Sequence, residues 1–112
     1  MHRGDILDVD LLVQGSRVQA GRRPAIAILA DAAIKVNPVI AVVPLTSNLG
    51  ALRFRYSFQI QPSQDNGLTA PSVAMVFQLT VVDRVNVIRV RGHLEDGFMA
   101  QLDSLLRDML GL

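Results

Sequence analysis

A chain of 112 residues and 12.2 kDa has the size of one folded domain, commonly about 100–150 residues, so one core is expected. Half of its residues are apolar and 19% are charged, which excludes intrinsic disorder, and the lack of any cysteine excludes disulfide frameworks, thiol catalysis and thiolate metal sites. The formal net charge is +1, but residues 1–60 carry seven basic against four acidic side chains and residues 61–112 four against six, an imbalance that suits an anionic ligand such as nucleic acid bound on one side.

The N-terminal stretch "MHRGDILDVD" places acids where a secretion signal needs an apolar run. Within "ILDVDLL", Leu7, Val9 and Leu11 alternate with Asp8 and Asp10, the period of a half-buried strand whose acids face solvent. The loop "QGSRVQAGRR" follows, broken by Gly15 and Gly21. Residues 24–30 and 39–45 are nearly continuous apolar runs, as in central strands, with Asn37-Pro38 marking the turn of a hairpin between them. The longest apolar stretch, at 39–45, is cut by Pro44 and falls far short of the roughly 18 residues of a membrane span, so a cytoplasmic protein with no membrane contact is expected.

Residues 53–60, "RFRYSFQI", alternate so that Phe54, Tyr56, Phe58 and Ile60 point one way and Arg53, Arg55, Ser57 and Gln59 the other, which predicts a core-anchoring strand. Asp65-Asn66-Gly67 is a turn signal, since Asn and Gly tolerate positive φ. Strands are predicted near 73–79 and 85–91, and Phe98, Leu102, Leu105 and Met109 recur at helical spacing in a terminal amphipathic helix that Gly111 ends. About six short strands, one terminal helix and no βαβ alternation predict a mainly β (α+β) fold, a small antiparallel barrel with a C-terminal amphipathic helix, in one domain spanning residues 1–112.

The sequence contains no glycine-rich phosphate loop, no nucleophile elbow and no histidine or carboxylate cluster at metal spacing, so neither a cofactor nor a metal is expected. His2 and His93 read as terminal and capping or surface residues rather than an acid–base pair. What remains is polar residues at strand ends. Arg22 and Arg23 stand directly before Pro24, either as solvated turn charges or with a guanidinium held where a phosphate passes. Thr46, Ser47 and Asn48 follow the third strand, either as a turn cap or as hydroxyls at a cleft. An antiparallel hairpin of residues 24–30 with 39–45 sets Arg23 beside Thr46.

The ordered segments "RGDILDVDL", "QAGRRPAIAIL", "VVPLTSNL", the Gly-Leu of 67–68, "SVAMVFQLTVVD" and the terminal helix resemble the MazF/PemK family of toxin endoribonucleases over essentially the whole chain. The most specific elements are the Gly-x-Arg-Pro of Gly21, Arg23 and Pro24 and the Pro-Leu-Thr-Ser of residues 44–47. The resemblance implies an SH3-like barrel, a homodimer, and metal-independent cleavage of single-stranded RNA by attack of the ribose 2′-hydroxyl on the adjacent phosphate. It also implies a cognate antitoxin protein that occludes the cleft. Arg23 matches the family's catalytic arginine, Thr46 its catalytic threonine and Gln78 a glutamine beside the nucleotide, with Ser47, Arg22, Arg17 and Arg53 expected to bind substrate. A guanidinium suits this role because its rigid fork of donors holds phosphate oxygens as they gain charge.

Two departures from the family pattern bear on the chemistry. Val18 stands where some members carry an acid, and Thr80 where many carry an arginine, so no proton acceptor is identified. The loop 13–23 lacks an aromatic residue, so RNA affinity is expected to rest on Arg17, Arg22 and hydrogen bonds rather than stacking. The rival readings are a catalytically silent barrel that binds RNA or protein, and a gyrase poison like CcdB. The second depends on a C-terminal tryptophan, which this chain does not have.

Overall fold

The computed structural model describes residues 1–11 and 21–112. In chain order the elements are β1 (Asp5–Leu11), β2 (Gly21–Ala27), α1 (Asp31–Val36), β3 (Val39–Thr46), β4 (Ser57–Ile60), β5 (Ser72–Met75), β6 (Thr80–Asp83), β7 (Val87–His93) and α2 (Asp96–Leu110). The seven strands pair antiparallel throughout, in the order β4-β5-β3-β2-β1-β7, with β6 also on β3. A mostly antiparallel, barrel-like sheet with a C-terminal helix is the predicted architecture.

The apolar runs are explained by burial on both faces. Ile6, Ile26, Val43 and Leu45 pack into one cluster with Phe58, Ile60 and the helix residues Leu102 and Leu106. Their neighbours Leu7, Val9, Ala25, Ala27, Ile40 and Val42 pack into a second on the opposite face. Strands covered on both sides lose the polar half of the alternation. The helix turns a slightly different stripe inward than its spacing predicts. Leu106 is buried, whereas Leu105 and Met109 are only partly so. Gly111 closes α2 at φ 73°, in the left-handed region that favours glycine.

Three local predictions are corrected. The β2–β3 connection is not a simple hairpin turn but contains α1, whose end is tied to β6–β7 by Arg84 donating to the carbonyls of Ile34 and Asn37. Residues 53–60 are a strand only from Ser57 onward. Upstream, Leu49–Arg53 forms a 3₁₀ turn and Tyr56 sits at φ 65°, a conformation costly for a bulky residue. Its carbonyl accepts the Phe77 N–H at 3.1 Å, so a tertiary contact overrides the local pattern.

The predicted strand at 73–79 stops at Met75, and a 3₁₀ turn at Val76–Gln78 separates it from β6. Both flanking strands run along β3, with Leu45 opposite Ala74 and Val42 opposite Thr80. Pairing slips by three positions between them, so the three turn residues leave the ladder. This excursion frees Phe77 and Gln78 to line a cleft instead of a sheet face.

Candidate active site

The β2–β3 register pairs Ala25 with Pro44, and carried two residues further it sets Arg23 opposite Thr46. Because side chains alternate along a strand, both lie on the face of Ala25 and Val42. They line one cleft of about 210 Å³ together with Arg22, Ser47, Arg91 and the wall Leu68–Ala70. A second cleft, of about 230 Å³, shares Thr46 and is lined by Asn48, Arg53, Phe54, Phe77 and Gln78. Thr46 therefore stands between the two hollows.

Thr46 is 5% exposed, and its Oγ1 accepts the Asn48 N–H at 3.2 Å. A hydroxyl accepting in this way keeps its own proton to donate. Arg23 is partly buried, and its Nε is fully buried with no hydrogen-bond partner among the described residues. Buried donors are almost always satisfied, so an unpartnered guanidinium N–H on a cleft-lining residue leaves a donor to which an anion is chemically suited. Arg22 is exposed and lies across from Asp10 in the β1–β2 register. No ion pair joins the two among the described residues.

Of the residues expected at the site, Arg22, Arg23, Thr46 and Ser47 meet in the first cleft and Arg53 and Gln78 in the second. Arg17 and Val18 lie outside the described residues. No carboxylate and no histidine lines either cleft among the described residues. His93 instead faces Asp5, with Nδ1 3.0 Å from its carboxylate. Among the described residues no group of three or more histidines and acids stands where it could hold a metal ion.

Three participants escape the sequence. Phe54, read as a core anchor, instead meets Phe77 across the second cleft, with centroids 5.1 Å apart, and Arg53 lies 4.5 Å over its ring. The second cleft therefore offers aromatic surface from outside the loop 13–23. The third is Arg91, which reaches the first cleft from β7.

Asp8, expected to be solvated, is only 13% exposed and is gripped by two arginines. Arg89 Nε donates to its Oδ2 at 2.5 Å, and Arg91 Nε and Nη2 reach Oδ1 at 3.0 and 2.9 Å. The signal was available as the alternation of Arg89 and Arg91 opposite alternating acids, but it needed the β1–β7 pairing. Burial disfavours the Asp8 charge, yet the hydrogen bonds and then the charges of Arg89 and Arg91 outweigh it and hold the carboxyl below its ordinary value of 3.8. A carboxylate depressed in the folded state stabilises above its unfolded pKa and loses that stabilisation as pH falls through the folded value. Asp8→Asn is therefore expected to cost about 2 kcal/mol at pH 7. Urea unfolding at stepped pH checks this, since the gap to wild type should narrow toward pH 3. A gap independent of pH would contradict the pairing.

Residues 2–110 match the family model described as PemK-like, MazF-like toxin of type II toxin-antitoxin system. The chain is 31% identical to the endoribonuclease MazF9 of Mycobacterium tuberculosis, over 100% of this chain and 98% of that protein. Its fold superposes on the crystal structure of MazF from Deinococcus radiodurans with a TM-score of 0.83 at 19% identity, covering 100% of this chain and 97% of that one. A mycobacterial endoribonuclease solved in complex with its cognate antitoxin gives a TM-score of 0.72 at 17% identity, covering 100% and 94%. At such identities the two structures speak for the fold.

Proposed function

Because the chain belongs to the PemK-like, MazF-like toxin family of type II toxin–antitoxin systems, we propose that it is an endoribonuclease that cuts single-stranded RNA at selected sequences without a metal ion. The ribose 2′-hydroxyl attacks the adjacent phosphorus, the P–O5′ bond breaks, and the products carry a 2′,3′-cyclic phosphate and a 5′-hydroxyl. The observation that carries this reading is the Nε of Arg23, without a partner among the described residues, on a side chain that lines the same cleft as Thr46.

The roles that the family resemblance suggests for these residues are supported by their arrangement. As the phosphate passes through its pentacoordinate state it gains negative charge, and the Arg23 fork supplies donors where that charge develops. Thr46, its oxygen already taken by the Asn48 N–H, turns its proton toward a phosphate oxygen and fixes the reacting group. Ser47 and Arg22 hold the backbone in the first cleft. Gln78 reads a base edge in the second, where Phe54 and Phe77 offer the stacking surface and Arg53 adds charge. Arg17 guides the RNA toward the cleft. With no acid or imidazole lining either cleft among the described residues, the 2′-hydroxyl proton passes to water, and water returns a proton to the departing 5′-oxygen.

The protein acts in the cytoplasm as a homodimer, a single toxin domain spanning residues 1–112. Val81 on β6, Val85 in the turn that follows it and Ile88 and Val90 on β7 are exposed apolar side chains, suited to burial against a second copy. A cognate antitoxin neutralises it by laying an acidic segment over the Arg22–Arg23 cleft. Charge complementarity supports this, as does the antitoxin complex of the mycobacterial endoribonuclease of the same fold.

Incubation with a long unstructured RNA in excess chelator tests the reading. Discrete fragments are expected whose 5′ ends accept phosphate from polynucleotide kinase without prior dephosphorylation. Intact RNA, or cleavage that requires added divalent metal, would overturn it.

A further inference from the structure

Resting on the endoribonuclease reading, we propose that Arg91 is an additional RNA-binding residue, a phosphate-positioning arginine aimed into the cleft by Asp8. Arg91 lines the same hollow as Arg22, Arg23 and Thr46 but comes from the opposite side of the sheet order, on β7. Three arginines line one space of about 210 Å³. Three positive charges around one hollow repel unless an anion is placed among them, and a polynucleotide offers a run of phosphates.

Asp8 does not cancel the Arg91 charge. The carboxylate is shared with Arg89, which occupies its other oxygen, so one negative charge lies between two positive ones and leaves a net +1 beside the cleft. Arg91 spends its Nε and Nη2 on Asp8 Oδ1. Its remaining terminal nitrogen, Nη1, is uncommitted among the described residues and presents two N–H donors. The half-buried carboxylate thus fixes the orientation of the guanidinium, so little rotamer freedom is lost when a phosphate arrives.

The backbone beneath Arg91 is equally fixed. A Cβ built on Gly67 would lie 2.5 Å from the Arg91 carbonyl oxygen, and one built on Gly92 would lie 2.5 Å from the Asp65 carbonyl oxygen. Strand and loop are therefore in close contact on both sides of this residue. Arg91 serves as a binding and positioning residue, holding a phosphate neighbouring the one that Arg23 addresses, and takes no part in bond breaking.

The test uses a fluorescent single-stranded RNA methylated at every 2′-hydroxyl, which binds but cannot be cut, titrated over a range of salt concentrations. Arg91→Ala should weaken binding about tenfold at low salt and lower the magnitude of the log–log salt slope by about 0.7, the value for one lost phosphate contact on a single strand. Arg91→Lys should restore most of the slope, and Arg107→Gln, which removes a positive charge on α2, should change neither quantity. On cleavable RNA, Arg91→Ala should raise KM with kcat within a few-fold of wild type and an unchanged cleavage pattern.

An Arg91→Ala slope equal to wild type overturns the inference. So does a kcat loss as deep as that of Arg23→Ala, which would move Arg91 into the chemistry, or a changed cleavage sequence, which would make it a base reader. Wild-type protein that neither binds the methylated RNA nor cuts the natural one would instead bring down the endoribonuclease reading itself.

Discussion

Arg23→Ala is expected to lower RNA cleavage by about a thousandfold or more, the scale on which a transition-state guanidinium acts in phosphoryl transfer, while thermal stability stays level or rises. The two halves of this expectation come from one observation. Arg23 Nε is buried without a partner among the described residues. An unsatisfied buried donor costs about 1–3 kcal/mol, so removing it relieves the empty protein even as it disables the reaction. A residue retained only for packing would show the reverse pattern, with activity lost in proportion to melting temperature. Arg23→Lys keeps the charge but loses the planar fork and should fall between the two. Single-turnover cleavage beside thermal melts of the three proteins decides the matter, and an alanine variant that cuts within tenfold of wild type would remove Arg23 from the mechanism.

That juxtaposition of Arg23 with Thr46 could be read from sequence because it needs little information. Two apolar runs joined by a short connection pair as neighbours, and the residues flanking them follow from register. The inserted α1 lengthened the connection without changing which ends meet. The period-2 rule likewise found β1, whose Leu7, Val9 and Leu11 share a buried face.

The misses share a physical cause. "RFRYSFQI" has perfect strand alternation, yet Tyr56 at φ 65° breaks it, because Phe54 is drawn toward Phe77 and the Tyr56 carbonyl toward the Phe77 N–H. Those partners lie about twenty residues away, beyond any local window. The 3₁₀ excursion at Val76–Gln78 is invisible for the same reason, since it exists to let one chain segment switch register along β3. Arg91 was farther still from local reasoning. Its role requires β7 to pair with β1 across bulges that shift the register at two points, and only then does Asp8 meet Arg89 and Arg91 rather than solvent.

Gly92→Ala is expected to be among the most destabilising single-methyl additions to this chain, at about 3 kcal/mol or more. The added Cβ would stand 2.5 Å from the Asn66 carbonyl carbon and from the Asp65 carbonyl oxygen, and 2.6 Å from the Asn66 carbonyl oxygen. Backbone of this kind cannot swing away like the end of a flexible side chain. Asn66, fully buried, holds the opposing turn rigid by accepting from the N–H groups of Ser63 and Leu68 and donating to the Gln61 carbonyl and the Glu95 carboxylate. The methyl must therefore push the turn off β7 or bend β7 itself. Either movement displaces Leu68 and Thr69, which wall the Arg23 cleft, so cleavage should fall along with a melting temperature lowered by roughly 10 °C or more. Gly97→Ala supplies the contrast, because nothing lies within 4 Å of its Cβ position in α2. There the same methyl should stabilise by about 0.5–1 kcal/mol through helix propensity and the unfolded state. Opposite signs for the two substitutions in thermal melts are the expected result, and a Gly92→Ala protein that melts with wild type would show that the 61–68 turn yields where its hydrogen bonds say it cannot.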